Sequence, residues 1–258
     1  MRKKYFIAFT LLIFVCFSCN KKKFFDGPNY FSEDFESVTN ADSLFQPDNI
    51  LWSYSQVTVD GNYFQIDSTV VHSGNHSMKF FAKKSTDQLL SKCSIAKQFM
   101  AFWEGDVVKL SGWYFIEGNA RADYLFLFDI EEQTAIGAGP GMRLAISGDS
   151  GAILVNHKFL NPSIYQTAGE EISFPRNQWV HLEMEIKLSQ RKHGYVKVWQ
   201  NSQLILERQN WKTLPSDELY GLQGTKGMYS SIEFGITANS FDTDQTLYLD
   251  DIEVKKIN

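Results

Sequence analysis

The sequence predicts an all-β fold, a two-sheet antiparallel jelly-roll sandwich, and three observations carry the prediction. Apolar residues recur at period two in run after run. Clusters of Gly, Asn, Asp and Pro separate the runs, and nothing beyond the N-terminal leader sustains the 3.6-residue period of an amphipathic helix. Aromatic residues make up 15% of the chain, 21 of them Phe, a composition that suits broad strands around a thick core.

The runs can be taken in order. Val107-Val108-Lys109-Leu110-Ser111-Gly112-Trp113-Tyr114-Phe115 is one strand, and Tyr124-Leu125-Phe126-Leu127-Phe128-Asp129-Ile130 is a second, apolar on both faces until Asp129. Val180 to Lys187 alternates with Leu182, Met184 and Ile186 inward, and Tyr195-Val196-Lys197-Val198-Trp199 follows the His193-Gly194 turn. Ser231 to Thr237 and Leu247 to Val254 complete the set. About a dozen such strands in one domain are most simply wired as a jelly roll. Trp113 and Trp179 lie in strongly apolar runs and are expected in the core. Gly137-Ala138-Gly139-Pro140-Gly141 lacks the Lys-Ser/Thr of a phosphate loop and reads as a turn. Ser147-Gly148-Asp149-Ser150-Gly151 reads as a hairpin connection.

Residues 1–18 have the form of a secretory signal, with Arg2-Lys3-Lys4 ahead of the short apolar run Tyr5 to Phe17. The run is too short to span a bilayer comfortably. Cys16-Phe17-Ser18-Cys19 resembles a bacterial lipobox, with Ser18 as the small residue before a lipidated Cys19 and Cys16 departing from the usual Leu. Several acyl chains on one residue would anchor the protein to a membrane of the bacterial cell envelope. Residues 19–29 then form a tether rich in Lys, and residues 30–258 form the sandwich. Cys93 is left without a partner and reads as a small buried hydrophobe. Removing Arg2, Lys3 and Lys4 from 25 basic groups leaves 22 against 30 acidic ones, a mature charge of −8. That sign gives no help with a nucleic-acid backbone.

Gln178-Trp179-Val180-His181-Leu182-Glu183-Met184-Glu185-Ile186, followed by Gly194-Tyr195-Val196-Lys197-Val198-Trp199-Gln200-Asn201-Ser202, resembles a hairpin of concanavalin A-like domains. Such domains occur in polysaccharide lyases and laminin-G-type modules. Phe31-Ser32-Glu33-Asp34-Phe35-Glu36 and His72 to Phe80 resemble the opening of many carbohydrate-binding jelly rolls, and Leu247 to Val254 their closing strand. The resemblance implies a concanavalin A-like fold over Phe31–Val254 and a glycan partner. It implies little about activity, because the fold hosts lectins, lyases and hydrolases alike.

Lyases of this superfamily remove the proton alpha to a uronate carboxylate, and they resemble one another in a Gln-x-His strand and a later Lys-x-Gly-x-Tyr strand facing one groove. The resemblance puts Asp129-Ile130-Glu131 at the first and Glu233-Phe234-Gly235-Ile236-Thr237 at the second. Thr237 is no Brønsted acid near neutral pH, and an ionised carboxylate in place of Gln would repel a uronate, so lyase chemistry is not expected on these grounds. Asp129 and Glu131 share one strand face, and with Glu233 they offer the paired carboxylates that a glycosidase uses. The Glu-x-Asp-x-(x)-Glu string of the glucanase branch is absent; His181-Leu182-Glu183-Met184-Glu185 lacks the middle Asp.

The expected glycan-binding residues are Asp129, Glu131, Arg143, His157, Trp199 and Glu233. Lys158 lies beside them in sequence, and Trp199 shares an outer strand face with Tyr195 and Lys197 as a stacking platform. A structural calcium ion is expected where Glu36, Asn75 and Asp250 meet, because the resembling families bring these segments together and calcium prefers hard oxygens. The function expected is a lipid-anchored, glycan-binding or polysaccharide-processing accessory protein. A lyase or hydrolase with a non-standard site, and a structural or adhesion domain, are the alternatives.

Overall fold

The computed structural model describes residues 23, 26–45, 47, 50–134, 137–148, 150–158, 161–215 and 227–258. The signal segment, Cys19 and most of the tether lie outside the described residues. In chain order the strands are β1 (Tyr30–Glu33), β2 (Tyr54–Val57), β3 (Tyr63–Asp67), β4 (Ser77–Ala82), β5 (Cys93–Lys97) and β6 (Phe102–Trp103). Then come β7 (Val107–Ile116), β8 (Tyr124–Thr134), β9 (Gly137–Ser147), β10 (Ile153–His157), β11 (Asn161–Ile164) and β12 (Trp179–Lys187). The last are β13 (Gly194–Gln200), β14 (Gln203–Trp211), β15 (Met228–Tyr229), β16 (Ser231–Asn239) and β17 (Gln245–Lys256). Among the described residues the only helix is a short 3-10 turn at Ala41–Leu44, and no helix is long and apolar enough to cross a membrane.

The strands form the two antiparallel sheets of a jelly-roll sandwich. One runs β14-β13-β12-β7-β17-β4-β3, with β1 also paired to β17; the other runs β11-β10-β9-β8-β16-β5-β2. Every large run read from the sequence is a strand. The alternation is nearly perfect in β7 and β12, where Val108, Leu110, Tyr114, Val180, Leu182, Met184 and Ile186 face the core. Facing residues from the other sheet include Phe128, Ile130, Leu144, Ile232 and Phe234. Trp52 closes one side edge-on against Phe31 and Phe234. Each such side chain contributes roughly 1.5–3 kcal/mol relative to exposure.

Two readings of local sequence need correction. Gly137-Ala138-Gly139-Pro140-Gly141 is the first half of β9 rather than a turn, because its partner β8 continues alongside it. Trp113 and Trp179 lie half-buried on the outer face of the eight-stranded sheet. Period two decides this: Tyr114 and Val180 take the inward positions next to them. The loop after β3 covers the two tryptophans, with the His72 ring stacked 3.8 Å from Trp113 and Trp179 Nε1 donating to the Val71 carbonyl at 3.1 Å.

The closing strand β17 has β7 on one side, while its other side is divided between β4, which pairs Gln245–Leu249, and β1, which pairs Ile252–Lys255. Between the two halves the register against β7 shifts, and Asp251 adopts φ 49°. The loop from His72 to His76 fills this gap.

Candidate functional site

The outer face of the seven-stranded sheet carries one continuous polar row. Glu233 of β16 stands directly opposite Asp129 of β8, which stands opposite Arg143 of β9, which stands opposite Asn156 of β10. Glu131 is two residues from Asp129 on the same face, opposite Gly141. The missing side chain at Gly141 is a packing requirement, since a Cβ there would lie 2.2 Å from the Ile130 carbonyl oxygen. The Gly141 carbonyl accepts from Lys158 N at 2.8 Å, which sets Lys158 just past the end of β10. From there the Lys158 ammonium reaches Asp129 Oδ2 at 2.9 Å and also pairs with Glu131.

Asp129, Glu131 and Glu233 bring carboxylate oxygens within 4.8 Å of one another, all buried. One ammonium cannot neutralise three ionised carboxylates in such surroundings, so protons must be retained. Burial, reinforced by the Asp129 charge, pushes Glu131 up to about 8 and Glu233 up to about 7. Burial opposes the charge on Lys158, but the Asp129 and Glu131 charges outweigh it and raise its pKa. Ser94 Oγ and Gln56 Nε2 donate to the two oxygens of Glu233, the latter at 3.2 Å. Thr237 Oγ1 donates to Asp129 Oδ1 at 3.1 Å. The Tyr54 phenol is raised by burial and then by the nearby Glu233 charge.

These facts change the electrostatic argument drawn from sequence. A Glu that keeps its proton can donate a hydrogen bond, so Glu131 and Glu233 need not repel a uronate, and Asp129, which stands at the Gln position, is offset by the Lys158 ammonium 2.9 Å away. Thr237 is a hydrogen-bond donor to Asp129, as unsuited to acid catalysis as its chemistry implies.

The six expected glycan-binding residues divide. Asp129, Glu131, Arg143 and Glu233 come together on this face. His157 does not: it pairs with Met142 on the core side of β10, packs edge-on against Trp211 at 5.5 Å, and burial lowers its pKa. Val155 is a core residue and the residue two further along shares its face, so alternation places His157 inward. Trp199 does face outward beside Tyr195 and Lys197, but on the eight-stranded sheet, at the opposite face of the sandwich. Sequence reasoning missed Tyr54, Gln56 and Ser94. No motif marks them, although their spacing on β2 and β5 follows the period of two.

The three segments expected around calcium also meet. Glu36 Oε1 accepts from Asn75 N at 2.8 Å and His76 N at 2.7 Å, and Asp250 Oδ2 accepts from His72 N at 3.0 Å and Ser73 N at 3.2 Å. Gly74 is tightly enclosed, with φ +64° and room for no Cβ, which would lie 2.5 Å from Glu36 Oε1. The Asn75 side chain turns its nitrogen to Glu36 Oε2 at 3.3 Å, so it acts as a donor in place of the ligand role expected of it. Glu36 and Asp250 each accept three hydrogen bonds, short of the roughly four lone-pair sites of a carboxylate. Asp250 is grouped with His72 and Asp251, whose Nδ1 and Oδ2 lie 2.6 Å apart, rather than with Glu36.

A family described as polysaccharide lyase matches residues 48–253. The chain belongs to that family. Its fold is also that of solved polysaccharide lyases. An endo-β-1,4-glucuronan lyase from the fungus Trichoderma reesei aligns with TM-score 0.66 and 12% identity, covering 88% of this chain and 95% of that one. A cellulose induced protein, Cip1, aligns with TM-score 0.61 and 17% identity, covering 87% and 96%. The alginate lyase Aly36B aligns with TM-score 0.58 and 12% identity, covering 90% and 99%. No curated protein matches the chain. At these identities the solved structures speak for the fold alone, and polysaccharide processing rests on the family.

Proposed function

We propose that the protein is a polysaccharide lyase whose groove, on the outer face of the seven-stranded sheet, takes a uronate-containing chain. The carrying observation is the Lys158 ammonium held by Asp129 and Glu131 beside Glu233, whose pKa is pushed up to about 7. Elimination needs the uronate carboxylate neutralised, a proton taken from the carbon alpha to it, and a proton given to the departing glycosidic oxygen. Lys158 serves the first need. Glu233, when ionised, is a base of suitable strength for the second. The Tyr54 phenol, raised and therefore protonated, is the acid for the third. The alpha C–H electrons form the new C=C bond as the C–O bond to the leaving sugar breaks, and no other reactant is required.

The test is the absorbance of unsaturated uronate products on alginate, glucuronan and heparin-like polysaccharides. Activity that falls in Tyr54→Phe and Lys158→Met supports the reading. Binding without product on every substrate would leave the second reading, a glycan-binding accessory protein, which the missing Gln-x-His and Lys-x-Gly-x-Tyr strands favour.

The envelope location belongs to the same proposal. The lipobox-like Cys16-Phe17-Ser18-Cys19 supports a lipid on Cys19 and a protein tethered to a bacterial membrane. Cys19→Ser should move it to the soluble fraction. The carboxylates of Glu36 and Asp250, drawn to one loop from opposite ends of the chain, support a structural calcium ion there.

A further inference from the structure

Beyond the carboxylate cluster, the same face of β8 changes character. A register shift at Leu127 lets Tyr124 and Phe126 point outward together with Asp129 and Glu131, while Leu125, Leu127 and Phe128 stay in the core. Tyr124 packs edge-on to Phe126 with centroids 5.4 Å apart, and Phe241, from the loop after β16, packs edge-on to Tyr124 at 6.3 Å. Phe241 is 45% exposed, so this shelf presents an aromatic ring to solvent.

Arg143 joins the shelf to the cluster. Its guanidinium carbon sits 4.4 Å from the Phe126 centroid, which holds the plane in place. Its Nε donates to Asn156 Oδ1 at 3.2 Å, and among the described residues its terminal nitrogens have no hydrogen bond or ion pair. A guanidinium fixed in this way, with its fork open, is suited to bidentate capture of a carboxylate. Asp129 and Glu131 face Lys158 instead, so they do not compete for it.

We infer that Tyr124, Phe126, Phe241 and Arg143 form a separate uronate-binding subsite, in which a sugar ring rests on the Phe241–Tyr124 shelf and its carboxylate is taken by Arg143. A strand rises ~3.3 Å per residue, so the shelf's far end lies about 15 Å from Asp129, more than one sugar unit from the cluster. The subsite therefore selects for an anionic chain rather than a single sugar, and it fixes the direction of the chain along β8. The inference rests on the groove being a uronate site.

The experiment measures binding of uronate oligosaccharides of increasing length to the wild type, Phe241→Ala, Phe241→Trp, Arg143→Gln and Lys158→Met. Melting curves accompany each. Phe241→Ala should bind long oligomers roughly three- to tenfold more weakly, with shorter oligomers unaffected, and Phe241→Trp should restore binding. Arg143→Gln should lose affinity for uronate oligomers. If both Phe241→Ala and Arg143→Gln bind like the wild type while Lys158→Met does not, the shelf is overturned and the groove reading stands. If the wild type binds no uronate polymer, both fall.

Discussion

Two acidic clusters in this protein use the same residue types to opposite ends. On the outer face of the seven-stranded sheet, Asp129, Glu131 and Glu233 are crowded around one ammonium, where the backbone N–H groups are already committed to neighbouring strands. Burial and mutual repulsion dominate, and Glu131 and Glu233 hold their protons more tightly than free carboxyls do. At the seam, Glu36 meets the open N–H groups of the 72–76 loop, and those donors lower its pKa. Asp250 lies between the two cases: burial pushes it up to about 6 while the Ser73 N–H opposes that rise. The difference teaches that a carboxyl becomes an acid or a clamp according to which backbone donors its strand leaves free.

The largest effect expected is on the groove. Lys158→Met removes the cation from two buried carboxyls and should cost about 3–5 kcal/mol in urea unfolding. Adding Asp129→Asn and Glu131→Gln should recover most of it. A loss no larger in the single variant than in the triple one would mean that the ammonium is not what holds the cluster.

At the seam, Gly74→Ala places a Cβ against Glu36 and forces a left-handed conformation on an L side chain, so a loss of about 1–3 kcal/mol is expected. Groove binding should be unchanged. A coupled loss of both would erase the contrast between the regions.

The pH dependence separates the clusters by sign. Glu131 and Glu233 bind protons more tightly folded than unfolded, so their contribution falls as pH rises from the unfolded value of 4.5 through about 7 to 8. Glu36 is shifted the other way, so its contribution is complete above 4.5 and is lost as pH falls through its lower folded value. Unfolding measured across pH should therefore flatten on the neutral side in Glu131→Gln and on the acid side in Glu36→Gln. The smallest effect concerns calcium: the melting temperature should rise with added calcium and fall with chelator, and Asp250→Asn should abolish the difference. An unchanged midpoint would leave the seam to its hydrogen bonds alone.

Strand positions were legible because the period-two pattern is local: Val180 to Lys187 declares its inward residues without reference to any partner. The grouping of Asp129 and Glu131 was legible for the same reason. Trp113 and Trp179 were read as core from the apolar runs around them and His157 as a groove residue from its polar ring, although alternation with Tyr114, Val180 and Val155 turns the tryptophans outward and His157 inward. Alternation cannot say which strands end up side by side. Nor can it say that Trp199 belongs to the other sheet, since sheet membership is a matter of topology rather than pattern.

The sequence by itself thus determined the sandwich, its strands and the face shared by the groove carboxyls, because these follow from side-chain direction along one strand. Only the tertiary structure decided what those carboxyls are. Lys158 reaches them from just past the end of β10, Ser94 and Gln56 from β5 and β2, and Arg143 crosses diagonally over Phe126. Protonation, charge balance and an open guanidinium depend on distances between distant segments and on water excluded by the whole fold, and no local pattern encodes either.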